Sequence, residues 1–253
     1  MADRNTYMLA VDTATPCATV ALTEGTRGAG RVLGAVGVAS NTSHSRRLLV
    51  VIDRLLTDCA IGKEKIEGFA VGLGPGSFTG LRIGMATMKG LAVAAGKPLF
   101  GLSTLDVVAA GCTGTTREIC SVLDARKREV YAAFYRLDST GMITRRSEIV
   151  VVSPERLAER INGPVTMTGD GLYAYKDFFT ERLGRLVDFS PVQCWSPAGA
   201  VLGLMAGELC RVGRSLDPVS AAPLYVRASD AELNLKTMAQ QAPSSQVVQK
   251  PQS

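Results

Sequence analysis

The sequence predicts an α/β protein of two similar lobes, each a mixed sheet flanked by helices. Three observations carry that expectation. The chain opens with an apolar strand, a polar turn and a returning apolar strand. Strand–helix units follow. The same strand–turn–strand pattern then restarts at Ile119, as a weak internal repeat in which Asp12 and Asp124 hold equivalent places.

The elements follow in order. Met8 to Asp12 reads as a short buried strand, and Cys17 to Leu22 returns from the turn to complete a hairpin. Arg31 to Val38 supplies a third strand. From His44 to Ala60, Leu48, Leu49, Ile52, Leu55, Leu56 and Cys59 recur with the period of an amphipathic helix. Ser43 or Thr42 can cap it. Ile66 to Leu73 is a buried strand, Gly80 to Ala95 a helix, Pro98 to Leu102 a strand, and Thr104 to Ala110 a helix. The repeat, "ICSVLDARKREVYAAFY", spans Ile119 to Tyr135. Glu148 to Val152 adds a strand, Ser153-Pro154 starts a short helix, and Val165 to Thr168 leads into "GDG". Ser196-Pro197 starts a final long helix to about Val212. These elements divide the chain into a lobe of residues 1–103 and a lobe of residues 104–227, with helix 196–212 able to pack back on the first. Residues 228–253 hold a Gln/Ser/Pro-rich tail that is expected to stay mostly disordered.

Composition narrows the function. At 253 residues, with 46% apolar and 20% charged residues, the chain has an ordinary globular balance and needs no staples. No apolar run approaches the roughly 20 residues that span a bilayer, and the start "MADRNTYMLAVD" is unlike a signal peptide. Six scattered cysteines show no CxxC spacing. A soluble protein of the reducing cytoplasm, without a membrane partner, is expected. The net charge of +5 suits nucleic acid, but the basic residues come in small groups such as Arg126-Lys127-Arg128 and Arg145-Arg146, each of which reads as solvated surface when taken alone.

The loudest local signal is "GLGPGSFTGLRIGMATMKG", Gly72 to Gly90. It resembles a phosphate loop but lacks the Lys-Ser/Thr of a Walker motif, and "GLGPGS" ends in serine where the dinucleotide motif needs glycine. Gly80 and Gly84, with Ala86, Gly90 and Ala94, instead recur at four-residue spacing, which lets another backbone approach closely. Spacing leaves open whether that neighbour lies within the chain or on a partner. One histidine, His44, excludes a multi-histidine metal site and makes a Ser-His-Asp triad a poor fit. Asp12, ending a strand before a Thr-rich turn, could hold hydrated magnesium or bond its own backbone.

Taken together, "LAVDTATPCATVAL", "SHSRRLLVVIDRLL", "VGLGPGSFTGLRIGMATMKGLA", "LDARKREVYAAFY", "GDG" and "PLYVR" resemble, in order, the TsaB (YeaZ) family. The resemblance covers the chain to about Arg227. It implies a two-lobed actin-like, ribonuclease-H-like (ASKHA) fold. It also implies a supporting role in placing threonylcarbamoyl on the adenosine beside tRNA anticodons. In that family catalysis belongs to TsaD, which carries an H-x-x-x-H metal motif, and a P-loop ATPase, TsaE, joins the complex. The chain alone is therefore expected to have no catalytic or metal-binding residues and no cofactor, with ATP and metal on partner subunits and tRNA met through the complex. The resemblance implies a TsaD interface, or a homodimer when TsaD is absent, through His44, Leu48, Leu49, Ile52, Leu55, Leu56, Gly80, Arg82, Gly84, Met88 and Leu91. Arg46 and Val50 depart from the family's H-S-E-x-L-L-P pattern within that helix. A vestigial nucleotide site would draw on Asp12, Thr13, Asp124, Gly169, Asp170 and Gly171. The alternative is an enzyme in its own right, either a small-molecule kinase of this fold or an M22-type peptidase. The first needs Asp12 and Asp124 around Mg-ATP, and the second needs ligands the sequence lacks.

Overall fold

A computed structural model describes residues 6–39 and 47–227. Among these residues the first sheet has five strands, β1 (Tyr7–Asp12), β2 (Cys17–Glu24), β3 (Arg31–Ala39), β4 (Ile66–Gly72) and β5 (Leu99–Leu102), in the order β3-β2-β1-β4-β5. The second has six, β6 (Glu118–Asp124), β7 (Val130–Leu137), β8 (Ile143–Arg145), β9 (Val150–Val152), β10 (Val165–Thr168) and β11 (Val187–Phe189). Its order is β11-β10-β6-β7-β8, with β9 also paired to β7.

The two sheets repeat one plan. β1 pairs antiparallel with β2 and parallel with β4; β6 pairs antiparallel with β7 and parallel with β10. β5 and β11 extend the parallel side in each. Asp12 and Asp124 end the equivalent strands β1 and β6, as the repeat predicts.

Among the described residues six helices cover the sheets: α1 (Leu48–Asp58), α2 (Phe78–Ala95), α3 (Thr104–Gly111), α4 (Pro154–Ala158), α5 (Leu172–Leu183) and α6 (Gly199–Arg211). Leu9, Val11, Val20 and Val71 face α1 and α2, where Ile52, Leu55, Met85 and Met88 complete a core. On the opposite side, Met8, Ala10, Ala70 and Phe100 pack against Leu202, Met205 and Ala206 of α6. Apolar cover on both sides is why β1 reads as a continuous apolar run rather than an alternating one. Between the sheets, α3 turns Val107 and Ala110 to the first and Leu105, Val108 and Ala109 to the second. On the far side of the second sheet, Leu157 of α4 and Leu172, Phe179 and Leu183 of α5 close the last core.

Several boundaries differ from the sequence expectation. α1 begins at Leu48; Thr42, Ser43, His44 and Arg46 lie outside the described residues. α6 begins at Gly199, not at Ser196-Pro197, because Val192–Cys194 winds as a 3₁₀ turn and the Trp195 indole N–H donates to the Ser190 carbonyl at 3.0 Å. The sequence reading also passed over β8, α5 and β11. α5 buries only Leu172, Phe179 and Leu183 along a mostly polar surface, so its period is faint.

Beyond α6 the chain returns across the first lobe as a strap. The Leu216 N–H donates to the Leu99 carbonyl at 2.7 Å, and the Leu224 N–H donates to the Leu73 carbonyl at 2.8 Å. Lys89 Nζ on α2 donates to the carbonyls of Val219 and Ala221 at 3.3 and 3.2 Å. The strap ends by pairing Arg227 with Glu129 of the second lobe at 2.9 Å.

Candidate functional site

Two places gather the residues singled out by sequence: the junction where β1 and β6 end, and the outer face of α1 and α2. At the junction, Asp12 is wholly buried. Its Oδ1 accepts the Ala14 N–H at 2.8 Å, the turn geometry of a short acidic side chain, and its Oδ2 accepts the Thr104 hydroxyl at 2.9 Å. Gly72 has no side chain because a Cβ there would overlap that carboxylate. Burial pushes the Asp12 carboxyl up to about 6 against these two hydrogen bonds.

On the other lobe, Asp170 Oδ1 accepts the Asp124 N–H at 3.0 Å, and Asp124 holds Arg126 through its backbone N–H at 2.8 Å and its guanidinium at 3.1 Å. Burial pushes Asp170 up to about 7, with Asp124 and Asp12 adding repulsion. Gly169 has a φ of +115°, and a Cβ at Gly169 or Gly171 would press on Val122. All six predicted nucleotide-site residues therefore lie at the strand ends where the lobes meet, but the carboxylates are engaged within the chain. Asp12 bonds a backbone N–H and a hydroxyl, Asp124 bonds Arg126, and burial disfavours charge on Asp12 and Asp170. Wholly buried and bonded through both oxygens, Asp12 has neither open to the water shell that magnesium keeps. Among the described residues no group of three His, Cys, Asp or Glu could hold a metal ion.

Thr13 joins the two places. Its hydroxyl donates to the Gly80 carbonyl at 2.7 Å, and a Cβ at Gly80 or Gly84 would overlap Thr13 itself. These two glycines face inward, in line with the buried Met88 and Ala92. Gly80 and Gly84, expected at a partner interface, have Thr13 as their close neighbour within the chain, and Met88 lies in the core of the first lobe. The same holds for Leu48, Ile52 and Leu55, which belong to the core of the first lobe. Leu56 and Leu91 are half-buried against it. What α1 and α2 present outward is Leu49 (55% exposed), Val50 (67%), Arg82, Val93 (66%) and the small stripe Ala86, Gly90 and Ala94, where nothing lies within 4 Å of a Cβ built at Gly90.

The start of α2 gathers Phe78, Arg82 and Tyr225 into a cluster that the sequence did not bring together. Ser77 caps the helix by accepting the Gly80 N–H at 3.2 Å. One turn on, the Arg82 guanidinium lies 3.9 Å from the Phe78 ring centroid, and the Tyr225 ring meets Phe78 at 4.7 Å. "PLYVR" contained Tyr225 and Arg227 as a motif, but only the strap's return shows what they touch.

Two lobes repeating one order of strands, joined where equivalent aspartates end the first strands, define a protein of the actin-like, ribonuclease-H-like class. Comparison with known proteins narrows this. The profile of the family described as TsaD, tRNA N6-adenosine threonylcarbamoyltransferase, matches residues 34–234. The tRNA threonylcarbamoyladenosine biosynthesis protein TsaB of Escherichia coli K12 is 34% identical over 227 residues, covering 87% of this chain and 94% of that protein. Its Bacillus subtilis namesake is 24% identical, covering 75% of this chain and 82% of its own. The crystal structure of YeaZ from Pseudomonas aeruginosa superposes with a TM-score of 0.71 at 27% identity, covering 87% of this chain and all of that one. The chain belongs to the TsaB (YeaZ) family.

Proposed function

We propose that the chain is a non-catalytic subunit of the machinery that places threonylcarbamoyl on N6 of the adenosine beside the anticodon, in tRNAs reading codons that begin with A. It acts by binding a TsaD-like catalytic subunit through the outer face of α1 and α2. The names of its relatives in Escherichia coli and Haemophilus influenzae support the biosynthetic role. The partner-binding role rests on one observation: Leu49 and Val50 stand exposed on α1, and Val93 and the open stripe Ala86, Gly90 and Ala94 on α2, two helices that share one face of the first sheet. Small residues let a partner's helix approach closely, and exposed aliphatic side chains beside them give that approach its driving force.

In this reading a TsaE-like P-loop ATPase joins the complex, tRNA reaches the chain through it, and ATP and metal sit on the partners. The same outer face pairs two copies when the partner is absent, and the setting is the cytoplasm. Among the described residues no helix is long and apolar enough to cross a membrane. An independent kinase or peptidase activity finds no support in carboxylates bonded to their own chain. The test is reconstituted tRNA modification with TsaD-like and TsaE-like subunits, with and without the chain. Modified adenosine should form only when the chain is present; formation at the same rate without it would remove the proposal.

A further inference from the structure

The turn joining β6 to β7 adopts a conformation that its residues disfavour. Arg126, Lys127 and Arg128 are all exposed and all left-handed, with φ of +60°, +52° and +61°. Glycine or asparagine would fill such positions with less clash between Cβ and the following carbonyl. The hairpin closes through backbone bonds, Ala125 N–H to Glu129 O at 3.0 Å and Glu129 N–H to Arg126 O at 2.9 Å, neither of which needs a long basic side chain. Backbone strain kept in the folded state is a pointer to function rather than to stability.

The turn is one end of a continuous edge. Glu129, the next residue, pairs with Arg227 at 2.9 Å. Two residues before Arg227, Tyr225 lies tilted by 34° against Phe78, with its hydroxyl 3.4 Å from Arg82 Nε. The edge thus runs from the turn along the strap to the start of α2, with Arg126, Lys127, Arg128, Arg227 and Arg82 along it. Tyr225, 42% exposed, stands between them. Along it Asp124 pairs with Arg126 and Glu129 with Arg227.

We propose that this edge contacts RNA directly: the turn binds backbone phosphates, and the Tyr225–Phe78–Arg82 stack receives an unpaired base. Cations grouped on one tip release counterions from a phosphate backbone, and an exposed aromatic ring beside a guanidinium offers a base a stacking face. An acidic protein would use the cations but would not stack a base on the ring, so competition with an acidic polypeptide separates the two occupants. The inference rests on the reading of the chain as a tRNA-modification subunit, and gives the chain itself a contact which that reading leaves to the complex.

The experiment measures tRNA binding by the assembled complex and by the full-length chain alone, between about 50 and 200 mM salt. It compares wild type with the triple variant Arg126→Gly, Lys127→Gly, Arg128→Gly and with Tyr225→Leu. Glycine suits the left-handed turn, so the triple variant should melt no lower than wild type. Its tRNA Kd should rise about tenfold at low salt and its salt slope should flatten by about 2, with affinity for the catalytic subunit unchanged. Tyr225→Leu should weaken binding about fivefold or more while leaving the slope alone. Unchanged Kd and slope in both variants, in a wild-type complex that modifies tRNA, would overturn the proposal. So would polyglutamate displacing the chain from tRNA as efficiently as RNA does. Failure of the wild-type chain to form the complex would count against the subunit reading instead, and tRNA binding by the isolated chain would still decide the edge.

Discussion

Gly80 and Gly90 lie on one helix but face different neighbours, and single substitutions separate them. A methyl at Gly80 would be driven into the Thr13 carbonyl, so Gly80→Ala should destabilise the protein by about 1–3 kcal/mol. A methyl at Gly90 meets nothing within 4 Å, so Gly90→Ala should stabilise the isolated chain by about 0.5–1 kcal/mol through helix propensity. Thermal melts of the two variants check both signs. The buried carboxylates give a further residue-scale prediction. Burial raises the folded pKa values of Asp12 and Asp170 to about 6 and about 7, from an ordinary aspartate value of 3.8. The folded state therefore holds more protons than the unfolded state between about pH 4 and 7, and stability should fall as pH rises through that window. Asp170→Asn keeps an acceptor for the Asp124 N–H and removes the titration, so its melting temperature should vary less from pH 4.5 to 8 than that of wild type. Equal slopes would show that Asp170 titrates normally.

Between residues and lobes, α1 and α2 decide how partner binding must be probed. Periodicity located both helices, yet it could not say which apolar positions faced inward, because α1 carries apolar residues around more than one stripe. Leu55, an anchor on sequence grounds, lies in the core beneath Gly34, so Leu55→Asp should unfold the lobe rather than test an interface. Val50→Asp is the useful change: the side chain is exposed, so the melting temperature should move little, while affinity for the catalytic subunit should drop by about 2 kcal/mol if the residue is an anchor. Strong local patterns were legible in this way, including the β1–β2 hairpin, the Ser153 cap and the Gly-rich helix. The short edge strands β8 and β11 and the polar helix α5 were not, since each gains its place from a neighbour rather than from its own pattern. The Phe78–Arg82–Tyr225 cluster was illegible for the same reason: residues 78 and 225 meet only because the strap folds back.

Across the molecule, one strand order used twice places Asp12 and Asp124 at matching strand ends, and the sequence repeat anticipated that duplication. What the repeat could not reveal is that these carboxylates would be bonded within their own chain, since that depends on Thr104 and Arg126 arriving from other elements or turns. At the junction the aspartates are bonded within the chain, whereas Leu49, Val50 and Val93 on the outer helices and the basic turn 126–128 are exposed. The most direct test is reconstituted tRNA modification with a TsaD-like subunit and a TsaE-like ATPase, comparing no chain, wild type and Val50→Asp. Wild type should switch modification on, and the folded Val50→Asp variant should restore it only at much higher concentration. Full modification without the chain, or turnover by the chain alone, would contradict the assignment.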